Sequence, residues 1–220
     1  MTLKIITTED GSHSLYDNQL NETYHSTRGA LGESQHVFIQ AGLTHWSSHN
    51  KRNEIRILEV GLGTGLNAFL TAQWSQEKRQ KIHLTSLEPH PIREELFTQL
   101  NFGNSLEEAT LLQKIHTTEW EQVASISSQF DLLKTTRTLE DFTASIPYDI
   151  LFFDAFAPSK QPEVWSLQNL RKCFGLLNPG GILTTYCAQG QFKRDLKEAG
   201  FRVETLQGAM GKKEMVRGTK

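Results

Sequence analysis

The chain has 220 residues, of which 37% are hydrophobic, and it carries a formal net charge of −2. This length predicts one globular domain over residues 1–220, long enough to bury a sizeable core. The small negative charge excludes a uniformly basic nucleic-acid-binding protein.

The composition also argues against membrane and metal-binding classes. No apolar run approaches the roughly 18 residues that a membrane-spanning helix needs, and the N-terminus lacks a signal-peptide pattern, so we expect a cytoplasmic protein. The two cysteines, Cys173 and Cys187, fit neither a zinc-binding spacing nor a disulfide framework. We therefore expect no metal site.

Strand-like segments alternate with helical segments along most of the chain. Residues 1–54 show no strong period and are expected to form an N-terminal extension, and residues 101–144 a helical and hairpin insertion. Alternating strands and helices predict βαβ units and a mainly parallel sheet. The predicted elements are a strand at Ile55–Val60, a helix from about Leu66, a strand at Ile82–Leu87, a helical stretch from Pro91, a strand at Tyr148–Phe153, a helix from about Pro162 that ends near Leu176–Gly181, a strand at Ile182–Cys187, a helix near Phe192–Ala199 and a strand at Phe201–Leu206.

A glycine-rich turn joins the first of these strands to its helix. Gly61, Gly63 and Gly65 occupy alternate positions, one residue shorter than the dinucleotide-binding spacing. Glycines let a ligand approach the backbone closely because they have no Cβ. Glu59 would repel a pyrophosphate but can pair with an ammonium group, so the turn favours a ligand with a cationic amino-acid end, such as S-adenosylmethionine.

The second strand ends at Glu88, where nucleotide-binding proteins place an acidic residue that accepts ribose hydroxyls. NAD and S-adenosylmethionine both carry such hydroxyls, so Glu88 indicates a nucleoside without choosing between the two. An exposed Glu88 on a purely structural turn is the alternative interpretation.

Another apolar strand runs directly into Asp154. Ligands of open α/β sheets bind beyond the carboxyl ends of the strands, so Asp154 is expected to face the same crevice as the glycine turn. A carboxylate there can orient an amine and take up the proton lost on methylation, although a helix cap is the alternative role. Phe156 and Trp165 are candidates for apolar walls or for core packing. Three histidines, His25, His36 and His90, are expected either at the surface or in polar positions where their ring nitrogens are hydrogen-bonded.

Basic residues outnumber acidic ones from Phe192 onward, by eight to four. A local basic face of this kind attracts RNA phosphates even when the net charge is negative. A solvated helix followed by a charged strand accounts for the same residues equally well.

Six segments together resemble the MnmC-type tRNA methyltransferase domain, in a version without the FAD-dependent oxidase domain to which it is fused in some bacteria. The resemblance covers nearly the whole chain from Leu15. The segments are YHSTRGALGESQHVFI (Tyr24–Ile39), EVGLGTGLNAFLT (Glu59–Thr71), SLEPHPI (Ser86–Ile92), FFDAFAPSKQPEVW (Phe152–Trp165), NPGGILTTY (Asn178–Tyr186) and GKKEM (Gly211–Met215).

The resemblance implies a class I methyltransferase fold, Rossmann-like, with a seven-stranded, mostly parallel sheet whose last strand is antiparallel. It also implies methyl transfer from S-adenosylmethionine to the amine of 5-aminomethyluridine, 2-thiolated or not, at the tRNA wobble position. Asp154 would lie beside the methyl group and the amine, and Glu88 would hold the ribose. The other implied cofactor-binding residues are Tyr24, Ser26, Glu59, Gly61, Gly63, Thr64, Gly65 and Asn67.

The resemblance further implies contacts with the anticodon arm of tRNA. The residues concerned are Phe156, Lys193, Arg194, Lys212 and Lys213. The acid that the family places by the adenine has no clear counterpart in the segment LLKTTRTLEDF, where Arg137 or Thr138 is the candidate instead. Separate enzymes would have to supply the aminomethyl substrate.

Two other interpretations stay open at this point. The first is a methyltransferase or aminopropyltransferase that acts on a small-molecule amine, which tRNA dependence would distinguish. The second is a non-catalytic RNA-binding module, which three acidic residues around one crevice disfavour.

Overall fold

A computed structural model describes residues 3–103 and 105–220, with a central sheet of eight strands and a separate sheet of three. The strands are β1 (Leu3–Thr7), β2 (His13–Asp17), β3 (Glu22–Thr23), β4 (Glu54–Val60), β5 (Lys81–Leu87), β6 (Val123–Ser127), β7 (Phe130–Thr135), β8 (Tyr148–Phe153), β9 (Leu177–Thr185), β10 (Arg202–Gln207) and β11 (Glu214–Thr219). The central sheet has the order β10-β11-β9-β8-β4-β5-β7-β6, and the small sheet has the order β1-β2-β3.

Strand directions confirm the expected mostly parallel sheet with an antiparallel last strand. β9, β8, β4, β5 and β7 run parallel to one another, and β11 is antiparallel to both of its neighbours. The number of strands differs from the expected seven, because β6 pairs antiparallel with β7 and adds an eighth strand at the edge. The hairpin within residues 101–144 thus supplies an interior strand of the sheet, β7, as well as its edge.

Helices flank the sheet, and two of those described begin after a side-chain cap, at Ser105 and at Ser166. Ser166 Oγ accepts the Asn169 N–H at 3.3 Å, so the helix expected from Pro162 begins only at Leu167. No helix of the described residues is long and apolar enough to cross a membrane. The helical segments are α1 (Ala30–Ser34), a π-helix (Gln35–Thr44), α2 (His45–His49), α3 (Leu66–Lys78), α4 (Glu94–Phe97), α5 (Leu106–Thr117), α6 (Leu167–Leu176) and α7 (Gly190–Glu198).

The strand expected to begin at Ile182 begins at Leu177. Leu177 pairs with Tyr148 and Ile182 pairs with Ile150, so residues 178–181 form an irregularity inside β9. The Asn-Pro-Gly-Gly sequence therefore bulges a strand here instead of separating a helix from it.

The sheet separates two hydrophobic cores. Along β4, Ile55 and Ile57 face the core under the π-helix and α3, whereas Leu58 and Val60 face the core under α6 and α7. Helices on both faces of a parallel sheet place the carboxyl ends of β4, β5 and β8 at one open edge.

The N-terminal segment packs against the central sheet. The Phe38 ring, in the π-helix, lies 5.4 Å from the Phe152 ring of β8, and the Trp46 side chain is buried. Three consecutive residues, Val37, Phe38 and Ile39, are buried. The expected extension therefore contributes to the main core.

Candidate functional site

A cavity of about 230 Å³, called here the strand-end cavity, opens beyond the carboxyl ends of β4, β5 and β8. Each of these strands leads into one part of its wall, and the N-terminal segment covers it. The predicted site residues that line it are Tyr24, Gly61, Gly63, Glu88, Asp154 and Phe156.

The glycine turn forms one wall of this cavity in a left-handed backbone conformation. The φ angles of Gly61, Gly63 and Gly65 are 95°, 50° and 75°. A Cβ on Gly61 would lie 2.6 Å from the Asp154 carbonyl oxygen, and one on Gly63 would lie 3.0 Å from the Tyr24 ring. Glycine is therefore required both by the backbone angles and by the close approach of β8.

Glu88 joins the glycine turn to the end of β5. Its carboxylate accepts the Gly63 N–H and the His90 N–H, both at 2.9 Å. Burial raises the pKa of this carboxyl, and the two backbone donors oppose that shift. A carboxylate held in the cavity wall in this way can also accept ribose hydroxyls.

Asp154 lies at the end of β8 and is oriented by Asn67, whose Nδ2 donates to Oδ2 of the carboxylate at 2.7 Å. Burial raises the pKa of Asp154 to about 7; the Asn67 hydrogen bond opposes this shift, and the negative charge of Glu33 adds to it. An acid that is partly protonated near neutral pH is suited to proton transfer.

Glu59 differs from the sequence prediction. Its side chain is completely buried, accepts a hydrogen bond from Ser86 Oγ and does not line the strand-end cavity. Burial raises its pKa to about 8. Among the described residues its Oε1 has no hydrogen-bond partner, so an interaction with a ligand ammonium remains a prediction that requires a local rearrangement.

Thr64 and Gly65 likewise support the turn from behind. Thr64 is buried, its Oγ1 is hydrogen-bonded to His25 Nε2 at 2.7 Å, and its carbonyl oxygen is hydrogen-bonded to His116 Nε2 at 3.0 Å. A Cβ on Gly65 would lie 2.9 Å from His116 Nε2. Burial lowers the pKa of both histidines to about 4, so both rings are neutral at pH 7.

A second cavity of about 400 Å³, called here the side cavity, adjoins the strand-end cavity. Tyr24, His25 and Phe156 line both, and the Tyr24 and Phe156 rings meet edge to face at 4.8 Å. Ser26, predicted to contact the cofactor, lines the side cavity only. The other residues of the side cavity are Tyr16, Asn21, Glu22, Thr23, Thr27, Glu33, Ala157, Tyr186 and Lys212.

Trp165, a candidate wall residue, packs in the core instead. Its indole N–H donates to the Phe156 carbonyl oxygen at 2.8 Å, and its ring lies 4.7 Å from that of Phe153. Trp165 thus supports the loop that carries Phe156 without lining either cavity.

The four basic residues predicted to meet tRNA differ in their surroundings. Lys193 Nζ is paired with Glu214 at 2.8 Å, and the Arg194 guanidinium is hydrogen-bonded to Gln191. Lys213 is exposed, whereas the Lys212 ammonium pairs with the buried Glu33 carboxylate and lines the side cavity. The Lys212 ammonium therefore has a partner inside the site, and its contact with tRNA stays a prediction.

Several wall residues were not predicted from the sequence. Leu139 and Glu140 follow β7 and line the strand-end cavity beside Thr138, which was already a candidate for the adenine side of the site. His25 was expected on the surface or in a satisfied polar position, and it lies in the wall of both cavities. The sequence signal for Leu139 and Glu140 was their place directly after β7, because the carboxyl end of β7 meets the same edge of the sheet.

The strand-end cavity has a hydrogen-bond acceptor and apolar walls that suit S-adenosylmethionine. The backbone of Gly61 and Gly63 is accessible without a Cβ, Glu88 offers a carboxylate for hydroxyls, and Leu87 and Leu139 offer apolar contacts for a purine. Within residues 3–103 and 105–220, no group of His, Cys, Asp and Glu side chains could hold a metal ion. The strand order, the antiparallel β11 and this site define a class I, Rossmann-like methyltransferase.

Comparison with known families agrees with this class. The family model described as "S-adenosyl-L-methionine-dependent methyltransferase" matches residues 104–220, more than half of the chain. The chain therefore belongs to this family, and its cofactor is S-adenosylmethionine.

Similar proteins extend the comparison to the rest of the chain. The tRNA 5-methylaminomethyl-2-thiouridine biosynthesis bifunctional protein MnmC of Cupriavidus necator is 31% identical over 214 residues, which cover 91% of this chain and 32% of that protein. The protein of the same name from Marinomonas sp. is 31% identical over 96% of this chain and 32% of its own length. The chain thus spans about a third of these relatives. The crystal structure of MNMC2 from Aquifex aeolicus matches with a TM-score of 0.82 at 24% identity, over 99% of this chain and 70% of that one, and supports the fold.

Proposed function

We propose that this chain transfers a methyl group from S-adenosylmethionine to the primary amine of 5-aminomethyluridine, 2-thiolated or not, at the wobble position of tRNA. The observation that carries the proposal is Asp154. Its carboxyl faces the strand-end cavity, interacts electrostatically with Glu33 of the side cavity and has a pKa raised to about 7 by burial.

The relatives support the choice of acceptor. Two proteins that match more than nine-tenths of this chain are named for the biosynthesis of 5-methylaminomethyl-2-thiouridine in tRNA. We infer from these names that the amine acceptor is an aminomethylated wobble uridine.

S-adenosylmethionine, when bound, supplies an electrophilic methyl group. The acceptor amine is cationic in water and must lose a proton before it can attack. Asp154 is oriented by Asn67, and burial brings its pKa to about 7, so its carboxylate can take that proton. The Tyr24 and Phe156 rings, in contact with each other and lining both cavities, would shield the reacting groups from water.

Mass spectrometry of tRNA nucleosides tests the function. The protein is incubated with S-adenosylmethionine and tRNA that carries 5-aminomethyluridine, and with tRNA that lacks it. We expect a gain of one methyl group on the aminomethyl nucleoside only. Cofactor binding without this gain would reject the proposed acceptor, and the assay would then be repeated with small-molecule amines as methyl or aminopropyl acceptors.

We also propose that Arg194 and Lys213 contact phosphates of the anticodon arm, because both are exposed at the surface. Affinity for tRNA should then fall steeply with salt, and each Met substitution should reduce the log–log salt slope by about one. Binding that is flat between low and moderate salt would contradict this contact.

A further inference from the structure

The side cavity contains an ion pair that the methyltransfer chemistry described above does not use. Glu33 of α1 has a side chain that is 8% exposed, and one carboxylate oxygen accepts the Ser26 N–H at 2.8 Å. Its other oxygen is bonded to the ammonium group of Lys212, which lies 179 residues away along the chain. A carboxylate this deeply buried needs a cation, because an unpaired charge in such surroundings is costly.

The two partners of this pair are not equally fixed. The Lys212 side chain is 39% exposed, on the turn between β10 and β11, and its ammonium lies 4.7 Å from the Tyr186 ring centroid. A lysine stem is flexible and can swing into water, where its charge is well solvated. The Glu33 carboxylate is held in the cavity by the hydrogen bond from the Ser26 N–H, and its side chain is almost completely buried.

The cation position at Glu33 lies within electrostatic reach of Asp154. Glu33 and Lys212 both act electrostatically on Asp154, and Tyr186 donates from its hydroxyl to the carbonyl oxygen of the adjacent Ala155 at 2.8 Å. A primary ammonium, a ring face and the Glu33 carboxylate are therefore grouped in the side cavity, within electrostatic reach of Asp154. The Lys212 ammonium has the same chemistry as the protonated acceptor amine of the proposed function.

We propose that Glu33 is the residue that binds the ammonium group of the acceptor, and that Lys212 occupies this position until the acceptor displaces it. The inference rests on the proposed function and names the group that selects a cationic primary amine. Lys212 then acts as an internal competitor, and the acceptor restores the charge balance of Glu33 when Lys212 leaves.

Substitutions of Lys212 test the inference by the sign of their effect on the KM for aminomethylated tRNA at saturating S-adenosylmethionine. Lys212→Met should lower this KM by about threefold or more. Lys212 competes with the acceptor for Glu33, so the apparent affinity for the acceptor is reduced by the fraction of molecules in which Glu33 is free. Lys212→Arg should raise it, because a guanidinium binds a carboxylate in a bidentate manner and is harder to displace. The kcat should change little in either variant.

The Glu33→Gln substitution is the second test of the inference. It keeps the shape of the side chain and an oxygen for Ser26, but it removes the charge, so the acceptor KM should rise by about tenfold or more. In the Glu33→Gln background, Lys212→Met should no longer lower the KM. Lys78→Met, which removes an exposed pair with Glu77, is the matched control and should leave the KM unchanged.

The outcomes separate the inference from the function on which it rests. Calorimetry with S-adenosylmethionine alone checks that each variant is folded, and affinity within about twofold of wild type is expected. An unchanged or raised KM in Lys212→Met overturns the inference, and a raised KM with a shallower salt slope would identify Lys212 as a phosphate contact. Absence of transfer by the wild-type chain overturns the proposed function and the inference with it.

Discussion

At the scale of single residues, Asp154 has the clearest chemical consequence. Asp154→Ala should lower the rate of methyl transfer by about 100-fold or more, the scale of a positioned proton acceptor. Affinity for S-adenosylmethionine should be largely kept, because Glu88 and the glycine turn form a different part of the wall. Single-turnover kinetics and calorimetry measure the two quantities, with Asp195→Ala as a surface control. Wild-type turnover in the variant would remove Asp154 from the mechanism.

Glu88 allows a matched test of cofactor binding. Glu88→Ala should weaken the binding of S-adenosylmethionine by about 1–3 kcal/mol, the contribution of hydrogen bonds to one charged group. Calorimetry gives the dissociation constant, and Glu77→Ala, at an exposed position of α3, serves as the control. Wild-type affinity in Glu88→Ala would show that Glu88 is not the ribose acid.

The sequence predicted which residues follow each strand better than where their side chains point. Asp154 and Glu88 lie in the cavity wall because each comes directly after a parallel strand. Glu59 and Thr64 belong to the same motif but are buried behind it, since Ser86 and His25 bond to them from other segments. Such contacts between distant segments leave no periodic signal in the sequence.

At the scale of secondary-structure elements, strong apolar patterns gave correct boundaries. β8 was predicted at Tyr148–Phe153 and is observed there, because all six of its residues are buried. The π-helix was not predicted, since its segment contains Gln35, His36 and Gln40 and buries a glycine, which weakens the apolar periodicity on which helix recognition rests. β9 was predicted too short because a proline and two glycines are a turn signal that the pairing with β8 overrides here.

A pair of glycine substitutions tests the strained turn as an element. Gly61→Ala should reduce thermal stability and cofactor affinity, because its φ is +95° and a Cβ would lie 2.6 Å from the Asp154 carbonyl oxygen. Gly175→Ala in α6 has nothing within 4 Å of its Cβ and should stabilise the protein by about 0.5–1 kcal/mol. Thermal unfolding measures both, and equal effects of the two changes would contradict a special role for the turn.

At the scale of the whole molecule, buried acids link stability to pH. Asp154 and Glu59 have folded-state pKa values raised by burial to about 7 and about 8, so the folded chain keeps protons that the unfolded chain releases near pH 4. The free energy of unfolding therefore decreases as the pH rises through this window. His25 and His116 oppose the trend below about 6.5, because burial lowers their pKa to about 4.

The decrease in the free energy of unfolding should be visible between pH 6.5 and 8. This interval lies above the ordinary histidine pKa of 6.5, so the two histidines no longer oppose the decrease. Without S-adenosylmethionine, the unfolding temperature should fall across this interval, and Glu59→Gln should flatten the decline because it cannot titrate. A calorimetric pH series measures both curves. An unfolding temperature that rises with pH in the wild type would contradict the burial of these acids.

The side cavity also has a consequence for the order in which the molecule assembles. Its closing contacts join residues very far apart in the chain: Glu33 meets Lys212 across 179 positions, and Arg28 meets the Met210 carbonyl oxygen across 182. Contacts across such long loops carry a high entropic cost and form late in folding. A ribosome must therefore release the chain as far as Met210 and Lys212 before the side cavity can close, whereas the turn between β4 and α3 is synthesised much earlier.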